Sequence, residues 1–97
     1  MSSGPSKTII ITGVTRGLGS ALSKRFIEKG HKIWGCGRSS TEIIKLRIKW
    51  GEPHQFESVD VAKSEQVQEW LDPLLKKHNA PDLLVNNAEV INGNAPL

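Results

Sequence analysis

The sequence predicts an α/β fold, the first part of a doubly wound parallel sheet that runs β-α-β-α-β-α-β and stops after its fourth strand. Short apolar runs rich in β-branched residues recur along the chain, most of them bounded by glycine, proline or asparagine. Segments with apolar residues at helical spacing lie between them. Parallel strands joined by right-handed crossovers satisfy this alternation, and the expected spatial order of the strands is 3-2-1-4. The 97 residues suffice for one domain: residues 1–6 (MSSGPS) read as a flexible leader and residues 7–97 as the folded part.

Residues 7–12 (KTIIIT) form a strand buried on both faces, with glycine immediately after. From Leu18 onward, Leu18, Ala21, Leu22 and Phe26 share one helical face, and Gly30 ends that helix. Residues 32–37 (KIWGCG) are a second strand despite two glycines. Residues 41–50 carry Ile43, Ile44, Leu46 and Trp50 as a short helix stopped by Gly51 and Pro53. Residues 54–59 are a weakly patterned third strand leading to Asp60. Ser64 reads as the cap of a third helix with an apolar stripe of Val67, Trp70, Leu71, Leu74 and Leu75. Pro73 sits inside that stripe and is expected to kink or split the helix. Residues 82–86 (DLLVN) are expected to be a fourth buried strand, and EVINGNAPL has loop composition.

Charge and composition narrow the function. Thirteen basic and ten acidic side chains give a net charge of +3, spread without a basic block or aromatic-basic interleaving. That disfavours nucleic acid and favours a small anionic ligand. The one cysteine, Cys36, excludes an internal disulfide and fits a reducing, cytoplasmic setting; its apolar run marks it as an inert buried thiol. Apolar stretches of three or four residues are too short to cross a membrane. His31, His54 and His78 fall in separate loops or element ends, without metal-ligand spacing, and are expected at the surface.

The densest chemical signal is TGVTRGLG, residues 12–19. Gly13 follows the strand and can take a positive φ to turn the chain. Gly17 and Gly19 remove side chains where a helix begins, so an anion such as a pyrophosphate can reach the backbone amides and the positive helix end. The same glycines would also suit a turn that only packs helix against strand. In the expected sheet, this corner and Asn86-Asn87 stand at the carboxyl ends of strands one and four, flanking the topological switch point.

Taken with VDV at residues 59–61 and NNA at residues 86–88, the corner resembles the short-chain dehydrogenase/reductase family, whose Rossmann-type sheet carries T-G-x3-G-x-G, an aspartate after strand three and N-N-A-G after strand four. The resemblance extends from Lys7 onward and implies an NADP(H)-binding half-domain. It places Gly13, Gly17 and Gly19 along a diphosphate, Asp60 at the adenine, and Asn86 and Ala88 beside the riboses. Thr15, Leu18, Ser39, Val61 and Asn87 complete the expected site. As alternatives, Asp60 could be a loop or helix-entry residue, and the asparagines could simply satisfy backbone groups at the strand end. Gly37 stands where NAD-preferring relatives carry an acid. Arg16 and Arg38 are expected to converge on the ribose with no acid beside them, which favours a 2′-phosphate and hence NADP(H). The runs GHKIWGCGRS and PDLLVNNAEVIN resemble the branch that contains plant pterin-aldehyde reductases.

The resemblance implies interconversion of a small-molecule carbonyl and alcohol through a tyrosine, a lysine and a serine beyond strand four. The 97 residues contain no tyrosine, so the sequence reads as the amino-terminal part of such an oxidoreductase, with no catalytic residue assigned. A non-catalytic NADP(H)-binding sensor or interaction protein, or a non-functional truncated product, are the alternatives. Glu89 replaces the glycine of N-N-A-G and is expected to weaken cofactor binding. Strand four, open along one edge, is expected to give self-association or marginal stability unless a partner supplies the missing half.

Overall fold

The computed structural model describes residues 5–87. Three consecutive isoleucines, stiff at χ1 and suited to a pleated surface, build β1 (Thr8–Thr12) at the centre of the sheet. It is followed by α1 (Gly17–Glu28), β2 (Lys32–Gly37), α2 (Ser40–Trp50), β3 (Gln55–Ser58), α3 (Ser64–Lys77) and β4 (Leu83–Asn86). The four strands are all parallel in the order β3-β2-β1-β4, as the alternation of elements predicts. Ile10 pairs with Trp34 on one side and Leu84 on the other.

Strand alternation divides the apolar residues into two layers. Ile9, Ile11, Ile33 and Phe56 face α1 and α2, with Val14 and Ile43 closing that layer. Ile10, Trp34, Cys36 and Val59 face α3 and bury Trp70. The sheet is thus covered on both faces, and its carboxyl-terminal edge gathers the loops after β1, β2 and β3.

Several expectations shift in detail. Leu18 is 64 % exposed and Ala21 is exposed, so the core face of α1 is Leu22, Phe26 and Ile27 rather than the face read from spacing. Ser23 is buried on that helix because its hydroxyl donates to the Gly19 carbonyl at 2.8 Å. Ile44 and Leu75 also point to solvent. Ser64 is the first residue of α3 rather than its cap; Lys63 holds the cap position, fixed by its N–H donating to Asp60 O at 2.9 Å. The helix continues through Pro73 as one element. Pro73 and Glu69 are both exposed, so the Glu69 carbonyl deprived of its helical donor remains within reach of water.

The two sheet edges differ. The expected burial of β4 is not met: Leu83 is 47 % and Leu84 61 % exposed, and Val85 alone in the strand packs against a core layer. Among the described residues β4 has one strand neighbour, β1, which leaves its outer side without a covering element. At the opposite edge, Arg47 of α2 reaches over β3. Its Nε donates to Phe56 O at 2.8 Å, and its Nη2 pairs with Glu57 at 3.0 Å.

Candidate functional site

At the end of β1 the chain turns at Gly13, whose φ of +72° places it in the left-handed region. The N–H groups of Gly13 and Val14 both donate to Cys36 O, at 2.8 and 3.0 Å, folding the corner over the end of β2. Val14 is fully buried and anchors the corner in the core. Thr15 and Arg16 follow, and the helix begins at Gly17 with φ +62° and open space where a Cβ would stand. No side chain caps the amino terminus of α1, and its first turn has no acidic residue. The orphan amides and positive helix end are therefore left available to an anion.

Gly19 fits the packing alternative that its spacing left open. A Cβ there would fall on the Gly13 carbonyl oxygen and come within 2.7 Å of Asn87 Nδ2. Its lack of a side chain lets α1 close against the end of the sheet, and Gly19 itself is not on the wall of the cleft. Asn86 is likewise set back from the wall. Thr12 Oγ1 donates to Asn86 Oδ1 at 3.0 Å and accepts from Asn87 N at 2.8 Å, while Asn87 Nδ2 donates to Gly13 O at 3.2 Å. These bonds tie the ends of β1 and β4 together at the switch point and present Asn87 to the cleft.

The cleft at the carboxyl edge of the sheet has a volume of about 1050 Å³. One wall is Gly13, Thr15, Arg16, Gly17 and Leu18; a second is Arg38 and Ser39; a third is Asp60 and Val61; Asn87 completes it. Ten of the expected site residues therefore meet around one space, and Gly37 lines it as well. Ala88 and Glu89 lie outside the described residues.

Sequence reasoning left out Cys36, Val59, Ala62 and Glu42, which also line the cleft. Glu42 corrects one expectation directly, because an acid does share this space with Arg16 and Arg38. The run Ser39-x-x-Glu42 has capping-box spacing, a signal that could have found it. Ser39 Oγ accepts from Glu42 N at 3.3 Å, and the Glu42 carboxylate pairs with Lys45 at 3.3 Å. Arg16 and Arg38 are exposed and make no ion pair among the described residues. Gly37 holds its place by crowding: a Cβ there would stand 2.7 Å from Thr15 Cγ2.

Asp60 has a local structural task on one oxygen. Its Oδ1 accepts from Ala62 N at 3.0 Å, and its own N–H donates to Gln66 Oε1 at 2.9 Å, so Gln66 of α3 positions the third wall. Burial pushes the Cys36 thiol up to about 11, against a smaller lowering by its hydrogen bond with the Gly13 backbone, so the thiol stays protonated at neutral pH. His54 is not a surface residue as expected. It is partly buried, burial lowers its pKa below 6.5, and its Nδ1 accepts from Ile33 N at 3.1 Å at the amino end of β2, away from the cleft. His31 Nδ1 accepts from Lys7 N at 3.1 Å, a second structural role at that end. Among the described residues no helix is long and apolar enough to cross a membrane.

Known proteins share this architecture. The chain is 34 % identical over 93 residues to the NADPH-dependent pterin aldehyde reductase of Arabidopsis thaliana, an overlap of 94 % of this chain and 38 % of the relative. It is 32 % identical over 88 residues to the NADP-dependent 3-hydroxy acid dehydrogenase of Escherichia coli strain K12, covering 91 % of this chain and 36 % of the relative. The chain thus spans less than half the length of these relatives. Among solved structures, L-sorbose reductase from Gluconobacter frateurii, complexed with NADPH and L-sorbose, superimposes with a TM-score of 0.79 at 29 % identity, over 98 % of this chain and 38 % of that one. The family model described as short chain dehydrogenase matches residues 7–96, nearly the whole sequence. By that match, and by the sheet order and glycine corner it accompanies, the chain belongs to the short-chain dehydrogenase family.

Proposed function

We propose that residues 7–97 form the cofactor-binding part of an NADP(H)-dependent oxidoreductase and that the cleft receives the dinucleotide. The observation that carries this reading is the uncapped amino terminus of α1, free of acid in its first turn and opening onto a cleft flanked by Arg16 and Arg38. A pyrophosphate would be held by the first amides of α1 beside Gly13, Thr15, Gly17 and Leu18. Arg16, Arg38 and Ser39 would meet a 2′-phosphate, whose geometry suits guanidinium forks. Asp60 and Val61 would stand at the adenine. Asn87, with Ala88, would border the riboses, while Asn86 and Gly19 would position them from behind.

The cofactor, when bound, supplies hydride for interconversion of a small carbonyl compound and its alcohol, the chemistry suggested by the names of the relatives. The residues described here bind and orient it. The single thiol, buried and protonated, is compatible with a reducing cytoplasm. The open side of β4 supports self-association through that strand.

The deciding experiment is a fluorescence titration with NADPH and NADH. Saturable NADPH binding, with weaker NADH binding, is the expected result. Arg16→Ala should reduce NADPH affinity about tenfold while affecting NADH far less, since charge-assisted hydrogen bonds contribute roughly 1.5–3 kcal/mol. A chain that binds neither nucleotide overturns the reading.

A further inference from the structure

Glu42 occupies an unusual place for an acid. It lines the same cleft as Arg16, Arg38 and Ser39, at the third position of α2, where the positive helix end and two cations favour an anion. The carboxylate does not close a capping box. Ser39 Oγ accepts from the Glu42 backbone, but the Glu42 side chain makes no return bond to the Ser39 N–H among the described residues; the carboxylate instead holds Lys45 at 3.3 Å. Both partners are substantially exposed, 46 % for Glu42 and 68 % for Lys45, so the pair is loose and can be rearranged by a ligand.

We propose that Glu42 and Lys45 together set the preference between 2′-phosphorylated and 2′-hydroxyl cofactors. This rests on the reading of the cleft as a dinucleotide site. Glu42 brings a negative charge to the end of the cleft where the extra phosphate would lie, so it opposes NADPH selectively. Lys45 offsets that charge. A cofactor with a free 2′-hydroxyl carries no charge there and would meet the carboxylate without repulsion. The two nucleotides share their pyrophosphate, so the ratio of their affinities isolates the contribution of this corner. Arg16 and Arg38 attract the phosphate, and the Glu42–Lys45 pair sets how far that attraction excludes NADH.

The test is the NADPH/NADH affinity ratio, measured by fluorescence titration for the unmodified chain, Glu42→Gln, Lys45→Met and the double variant, with circular dichroism to confirm folding. Glu42→Gln keeps the backbone donor that Ser39 caps. It should raise the ratio about threefold, the size expected for a partly screened charge interaction near a surface. Lys45→Met should lower the ratio by a similar factor, and should change it less when Glu42 is already Gln. The effect should shrink at high salt. An unchanged ratio in folded Glu42→Gln, with the unmodified chain still binding NADPH, overturns the selector and leaves the cofactor reading standing. Failure of the unmodified chain to bind either nucleotide overturns both.

Discussion

Gly17 and Gly19 look interchangeable in TGVTRGLG, yet the structure needs them for opposite reasons. Gly17 has a left-handed backbone and empty space beside it; Gly19 has a contact with Gly13 and Asn87 that leaves no room for a methyl group. Gly19→Ala should therefore destabilise the fold by about 1–3 kcal/mol through overpacking at the β1–β4 crevice. Gly17→Ala should cost about 1–2 kcal/mol from backbone strain alone. Urea denaturation measures both losses. A backbone amide exchange map separates them, because only the Gly19 variant should loosen Asn86 and Asn87. The spacing of the glycines was legible, as was the gathering of Arg16, Arg38, Asp60 and Asn87. The division of labour was not, because Gly19 meets a side chain 68 positions further along the sequence. Glu42 was missed for a related reason: its capping-box spacing marks only a helix start, and the fold brings it to the cleft it shares with Arg16.

At the level of elements, periodicity identified each helix but not always the face it buries. On α1 the core face is shifted towards Ile27, and the buried Ser23 is invisible to a hydrophobic pattern because its hydroxyl is satisfied within the helix. On α3, of the expected kink or split at Pro73, the split does not occur, because an exposed turn can leave one carbonyl to water. The missing bond still costs stability, so Pro73→Ala should raise it, by up to about 3 kcal/mol if the full interior-proline penalty applies. Thermal denaturation followed at the far-ultraviolet helix signal checks this; an unchanged or lower midpoint would show that α3 has adapted to its proline. The order and parallel direction of the strands, by contrast, followed from the alternation of elements, since few connections satisfy handedness and short loops together.

For the molecule as a whole, the sheet order was predictable and the exposure of β4 was not, because burial of an edge depends on what lies beside it. Leu83 and Leu84 read as core residues by composition, and both are exposed. If this edge drives self-association, Leu84→Lys should shift sedimentation towards the monomer across a concentration series, since charge on an edge strand opposes pairing. An unchanged profile would place any association elsewhere. The Arg47 clamp gives that association a definite form. With Phe56 O already taken and Glu57 held beside it, β3 is a poorer acceptor for an added strand, which disfavours head-to-tail stacking of one sheet on the next. Pairing through β4 alone would join like to like across a two-fold axis and would use the edge that stays open among the described residues. An association of that kind would end at two chains rather than extend into a fibre.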